Sequence, residues 1–568
     1  MLSKILLYLE ACNKGEVFKR IEYKLKDLFG YFYIRNRLMK VDDIYIIKMP
    51  KIKKIKFNGN YEELYYIFNK KNDYLAIKGK LYANDKFWRK NNILEYDDIK
   101  SIWEYNRLQF LPSIALKYKV TKKSKYKKII VDTLDYWFEV NKYEYSINWT
   151  NNLEVAIRSI SLFITLLILN DKKLNAKYSK LLYLHGNYIY SEINYSKACI
   201  PNNHLIGEAV ALLVLSKILK HKNSKKWESR AIKILKLFNG IIADDGTSCE
   251  NSFSYQFFVT KMFILALCFI DDKELHDIIN KKVIASLKFL KLTVYSNGVI
   301  NYGDNDDGYF YSFSYKYSLK NDIIRYYNLF FDIKLDDEAT IIKELLSVNK
   351  NSIQFGIQDG QDYFANKNLF VYKWDNNLIF FNAKNVKWHA HDDSLHIELI
   401  INGKNVLPDL GTYSYNLDRK KRKKYISRKS HNTILSDKNN AVHIGTFRWK
   451  NLYESYLENV NIKEDSVSVT GIIENVCKRR IEIDKLNENI KIFDETLDSH
   501  YLISNNWNVP NSKIDENVIN NKYCDIIINT TIDKIINNNI SKKYLDEKRI
   551  KSYQTSKKKQ IITNIVIK

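Results

Sequence analysis

Cysteine, proline and glycine are all scarce in this chain of 568 residues, with 6, 5 and 17 of them. The cysteines, Cys12, Cys199, Cys249, Cys268, Cys477 and Cys524, are scattered without a Cys-x-x-Cys pair. That spacing excludes a zinc ribbon and indicates no disulfide framework, so free thiols are expected. No apolar run approaches the length of a membrane span, and the longest, such as Leu162 to Leu169, read as buried helices. The first residues offer only Ile5 to Leu9 before Glu10 interrupts them, too short for a signal-peptide core and without a clear cleavage site. A cytoplasmic protein is therefore expected, with a periplasmic or cell-envelope location left open. No repeat of fixed period is visible.

What is present is bulk and positive charge. Hydrophobic residues make up 45% of the chain and include 42 Tyr and 27 Phe, enough to fill sizeable cores and to exclude a disordered polymer. The length exceeds one core and fits two large units. Lys and Arg number 91 against 65 Asp and Glu, a net charge of +26. Such an excess favours polyanions: acidic polysaccharide, nucleic acid or an anionic membrane surface. A second reading stands beside it, since Lys, Ile, Asn and Tyr are all abundant and part of the Lys count follows from that composition.

Residues 1 to 99 read as a helical and then mixed segment, with KMPKIKKIKFNG as a basic, β-prone connector. From 100 to 347 apolar positions recur at helical spacing and turn signals are few. The segment Leu205 to Leu219 is apolar on nearly every side, as inner helices of a toroid are. From 348 to 568 the period becomes two, with strand-like runs at Leu369 to Trp374, Leu378 to Asn382, Ser394 to Ile401, Val467 to Ile472 and Asp525 to Thr531. In LHIELIINGKNVLPDLG, Asn402-Gly403 supplies a type I′ hairpin turn.

Five of the ten histidines, His389, His391, His396, His431 and His443, fall in one stretch of the β half. On an extended segment His389 and His391 share a face with Asp393. Such a pair suits a metal set completed by Asp409 and His431, or a neutral His held for proton transfer; capping of sheet hydrogen bonds is the plain alternative. Simple register through the hairpin turn places Asp409 opposite His396, so the segment from His389 to Asp393 has to bend for the metal set to close. In the helical half, PNNHLIGEA sets Asn202, Asn203 and His204 before a buried helix, where an Asn is ordinarily an N-cap. DDGTSCENSFSYQFF follows, with Glu250, Ser252 and Tyr255 at the entry to another helix. NYGDNDDGYF carries Asp304, Asp306 and Asp307 and reads as a structural turn, since the liganding Glu of an EF-hand is missing. The run Arg419 to Lys424 reads as a basic loop, either docking an anionic chain or simply solvated. Arg158 is a candidate for the toroid's inner face or for a pair with Glu154.

Taken in order, NNHLIGEA, Asp245 to Tyr255, GDNDDG, HAHDD followed by LPDLGTYSY, and RKSHNT resemble the successive signatures of the heparinase II/III family of polysaccharide lyases. WEYNRLQ and INWTNNLEVAIR are similar to features of members encoded beside capsule and exopolysaccharide genes. The resemblance runs from about residue 100 to 435 and implies an incomplete (α/α) toroid followed by an antiparallel β-sandwich. It implies β-elimination on an anionic, uronic-acid-containing polysaccharide, with Tyr255 moving the C5 proton, Asn203 and His204 neutralising the carboxylate, and His389 as a second base or carboxylate partner. Arg158, Glu250, Tyr413 and Arg428 become candidates for substrate binding. His391, Asp409 and His431 match positions that hold zinc or another divalent ion, with no organic cofactor. A monomer or homodimer is expected.

Three other classes are weighed. A non-catalytic glycan-binding relative is separated from the lyase by whether Tyr255 faces His204 and His389. Nucleic-acid binding calls for a basic patch with interleaved aromatics remote from the histidines. A glycosidase calls for paired carboxylates, for which Asp245 and Glu250 are the candidates.

Overall fold

The computed structural model describes residues 14–39, 45–46, 49–50, 81 and 84–568, apart from 314–317, 334, 350, 352, 354, 357–359, 361, 416, 439–440 and 445–446. Cys12 and nearly all of the connector KMPKIKKIKFNG lie outside those residues. The five described cysteines are free thiols.

Helices fill the first half. After Lys14–Leu28 and Tyr31–Leu38, four helices form an inner row: Leu111–Thr121, Asn152–Leu169, Asn203–Ile218 and Phe253–Leu267, each packed on the next. Each is followed by an outer partner, Ser124–Val140, Lys172–Cys199, Ser224–Phe238 and Lys273–Leu292. The division follows from sequence. Asn152–Leu169 is buried at all 18 positions and is apolar nearly all round, whereas Ser224–Phe238 buries only Trp227, Ala231, Ile234 and Leu235, spaced for one face. Asn152–Leu169 is long and apolar enough to cross a membrane, yet its sides are covered by the helices around it. Local caps set the helix starts: Asp171 accepts from the amides of Lys173 and Leu174, and Asp272 from that of Leu275. The arrangement is an incomplete (α/α) toroid.

Strands fill the second half, all paired antiparallel within their sheets. A five-stranded sheet from Tyr363–Ala365 to Lys404–Leu407 lies between the toroid and the rest. Its pleat divides two cores. Leu369, Val371, Leu378, Phe380 and Ile400 point into the helical core, while Phe370, Tyr372, Ile379, Phe381, Leu399 and Ile401 point into the β core. Because both faces are covered, His396–Ile401 is buried at every position. On the far side an eight-stranded sheet and a four-stranded sheet complete the sandwich, contributing Val469, Ile481, Ile492, Ile565 and Trp507 to that core. Each fully buried side chain of this kind contributes about 1.5–3 kcal/mol. The Asn402-Gly403 turn has positive φ at both residues, 48° and 71°, as a type I′ turn requires.

Candidate active site

The site lies where the N-termini of two inner helices meet loops that lead into the five-stranded sheet. On the helical side Asn202 caps Asn203–Ile218, its side-chain oxygen accepting from the His204 amide at 3.1 Å. That cap fixes Asn203 and His204 in the first turn. Asn203 is held further by Glu250, one carboxylate oxygen accepting from its backbone amide at 3.1 Å and from its side-chain amide at 2.8 Å. One helix on, Ser252 caps Phe253–Leu267 by accepting from the Tyr255 amide at 3.1 Å, and its own hydroxyl donates to the Asp304 carbonyl. Tyr255 thus enters the cleft from a fixed backbone, its hydroxyl 3.0 Å from that of Tyr415.

The β side is made of loops stitched together through their backbones. Asn251 donates to the Trp388 carbonyl at 3.0 Å, and Asp304 donates to the His389 carbonyl at 2.9 Å. Gly303 sits at φ +66°, and a Cβ there would lie 1.7 Å from the Asn251 carbonyl oxygen, so only glycine allows this approach. His389 also has a positive φ of 55°, which provides the bend that the sequence demanded between His389 and Asp393. The bend turns its ring flat onto that of Tyr255, with centroids 3.7 Å apart and planes at 14°. The Nε2 atom of His389 is 3.5 Å from the Asn203 side-chain nitrogen, and its Nδ1 is 3.4 Å from Asp304.

Asp304 is the hub of this wall. It is fully buried and accepts from both terminal nitrogens of Arg422, at 2.5 and 2.9 Å, and from His391 at 3.0 Å. Burial alone would raise its pKa, but Arg422 and the two imidazoles overcome that and hold it well below the usual carboxylate range. Tyr255 moves the other way. Burial, with Asp306 and Asp304 nearby, holds its hydroxyl well above the usual value against the opposing bond from Tyr415. Burial lowers His204 to about 4, so at neutral pH it is an uncharged imidazole that donates one N–H.

Behind His389, the side chains of His391, His396 and His431 close around Asp409. His431 Nδ1 is 2.5 Å and His396 Nε2 3.6 Å from the Asp409 carboxylate, and one ligand atom each from His391, Asp409 and His431 lie within 4.8 Å of one another. The bulge between Leu399 and Ile400 shifts the hairpin register and lets the carboxylate reach these rings. Two buried ring nitrogens, His391 Nδ1 and His431 Nε2, have no hydrogen-bond partner. Orphaned imidazole nitrogens beside a carboxylate are the donor set that zinc or a similar divalent ion takes, so these three residues fit the group.

Asn203, His204, Tyr255 and His389 all line one cleft of about 550 Å³, together with Trp388, Tyr415 and Phe447. The segments WEYNRLQ and INWTNNLEVAIR supply part of its lining: Trp103, Arg107, Asn151, Leu153 and Glu154. The four residues considered for substrate binding take other places. Arg158 is buried, donating to His185 at 2.9 Å and to the Asn148 carbonyl at 3.0 Å under Trp137; Glu154 pairs with Arg107 instead, at 2.6 and 2.9 Å. Glu250 is sealed beneath Asn203. Tyr413 stacks on Tyr425 under Lys421, and Arg428 is spent on Asp392 and the carbonyls of Ser394 and Ile434. The basic run is a short helix, Arg419–Tyr425, not a loop, and turns Arg422 inward to Asp304. His443 stands apart against Trp449. The loop taken as a structural turn therefore holds the hub of the site. Asp304, Tyr415 and Arg422 were missed as functional residues, and the available signal was their place in or beside GDNDDG and LPDLGTYSY.

Family sequence models described as heparinase II/III N-terminus and heparinase II/III-like, C-terminal, match residues 9–299 and 372–479. No curated protein matches the chain. Among solved structures, a heparinase III is similar over 98% of this chain and 93% of its own, at 16% identity and a TM-score of 0.64. A heparan sulfate lyase from Pedobacter heparinus is similar over 95% and 88%, at 16% identity and a TM-score of 0.55. At such identities these two share the fold.

Proposed function

The chain belongs to the heparinase II/III family, and from that premise we propose that it is a polysaccharide lyase cleaving a uronic-acid-containing glycan, such as a capsular or exopolysaccharide, by β-elimination. The observation that carries this reading is the convergence of Asn203, Tyr255 and His389, from three separate segments, at one point of the cleft.

The C5 proton of a uronate becomes removable when the charge building on its carboxylate is met by fixed donors. The Asn203 amide and the neutral His204 imidazole serve as those donors. With its Nδ1 turned to Asp304, His389 presents Nε2 to take the C5 proton. A double bond forms between C4 and C5, the C4–O4 bond breaks, and its electron pair leaves with O4. Tyr255 supplies the proton that O4 needs, a role that suits a hydroxyl held protonated by burial. Tyr415, in hydrogen-bond contact, is placed to restore that proton. A divalent ion held by His391, Asp409 and His431 would add positive charge and rigidity behind the His389 loop.

The test is the ultraviolet absorbance of unsaturated uronate when wild-type and Tyr255→Phe proteins meet a panel of uronic-acid polysaccharides. Absorbance that grows with wild type and disappears with the variant is expected. Growth that survives in the variant would move the acid to another residue, and silence of the wild type beside measurable binding would favour a glycan-binding protein.

A further inference from the structure

The net charge of +26 invites the expectation of a cleft lined with open cations for a sulfated chain. The cleft is built otherwise. Four Lys and Arg line it among the described residues, Arg20, Lys100, Arg107 and Arg448, and each already faces a carboxylate. Arg107 forms a two-pronged, buried pair with Glu154 at 2.6 and 2.9 Å. Lys100 is bonded to Glu104 and lies 3.9 Å from Asp306. Arg20 and Arg448 share Glu16, at 2.9 and 2.5 Å. Between these pairs the wall is apolar, with Ile99, Trp103, Ile200, Phe258, Trp388 and Phe447.

Resting on the lyase reading, we infer that the substrate is an unsulfated uronate glycan whose neighbouring sugars carry apolar substituents, such as 6-deoxy or N-acyl groups. One carboxylate per repeat is all that Asn203, His204 and His389 are equipped to receive. A sulfate placed beside Arg107 or Lys100 meets Glu154, Glu104 or Asp306 at close range, and taking the cation for itself would strand a carboxylate in a poorly solvated place. Methyl and acetamido groups instead gain contact with the indole and aliphatic surface, while the excess surface charge draws any polyanion toward the molecule without reading it.

The experiment uses the full chain with two probes of matched length, unsulfated N-acetylheparosan and fully sulfated heparin, and reads two signals separately. Binding is followed by the tryptophan fluorescence of the cleft, cleavage by absorbance of the unsaturated product. The unsulfated chain should bind at least about tenfold more tightly, given the like-charge contacts a sulfate would make. Tighter binding of heparin, or binding of neither probe, overturns the inference. Preferential binding of the unsulfated chain without cleavage supports it while removing the lyase reading. Glu154→Gln, which leaves Arg107 uncompensated, should shift preference toward heparin. Should that buried variant fail to fold, Glu104→Gln at a partly exposed position makes the same test at Lys100, and no shift in a folded variant counts against the inference.

Discussion

The two walls of the cleft are assembled on different principles. The helical wall is local: Asn202 fixes His204 two residues away, Ser252 fixes Tyr255 three residues away, and the helices behind them are buried. The β wall is long-range, since Asp304 gathers His389, His391 and Arg422 from 85, 87 and 118 residues away. A wall made of caps tolerates the loss of one bond. A wall that converges on a single buried carboxylate does not.

That contrast can be broken most sharply through chemistry. His389→Ala removes the base and the ring stacked on Tyr255, and kcat should fall about a thousandfold or more; Asn203→Ala, which removes one donor, should cost about a hundredfold. Equal losses from the two would contradict the division of roles. Stability comes next. Asp304→Asn leaves the buried Arg422 guanidinium without its counter-charge, and denaturant titration should show a loss of about 3–5 kcal/mol. Glu250→Gln on the opposite wall keeps an oxygen to accept from Asn203 and should cost about 1 kcal/mol. Reversal of that order would refute the hub.

Zinc sharpens the same comparison. At a hundredfold excess over its Kd it should stabilise the wild type by about 3 kcal/mol and leave His431→Ala unmoved in a thermal melt. A pH-dependent effect belongs to the helical wall. His204 is held at about 4 in the fold. The unfolded chain takes up that proton near pH 6.5, so the contribution is whole above 6.5 and is lost as pH falls toward 4. It amounts to about 3 kcal/mol and should vanish from the pH profile of His204→Gln.

This difference also decided what could be read from sequence. The caps at Asn202 and Ser252, the period of the inner helices and the Asn402-Gly403 turn are local patterns, and each stands in the structure as its residues require. Tyr255, His389 and Asn203 were reachable because they sit in or beside such patterns. Asp304 also sits in such a pattern, GDNDDG, but its role as hub was hidden, because its partners Arg422, His389 and His391 lie 85 to 118 residues away. Arg158 misled for the same reason: its helix was correct, but it turns to His185 and Trp137 of the outer helices and to the Asn148 carbonyl rather than to the inner face, and Arg107, in the turn after Ile99–Asn106, takes Glu154. The bulge at Leu399 and Ile400 likewise leaves no mark on the alternation of LHIELIINGKNVL, yet it sets where Asp409 arrives.

The central claim is elimination where Tyr255 and His389 stack between the two walls, and cleavage in water enriched in heavy oxygen tests it most directly. Elimination breaks the C4–O4 bond without consuming water, so the account predicts an unsaturated uronate end and no heavy oxygen in either fragment beyond slow exchange at the reducing carbon. A saturated product carrying heavy oxygen at the cleaved bond would mean hydrolysis, and would contradict it.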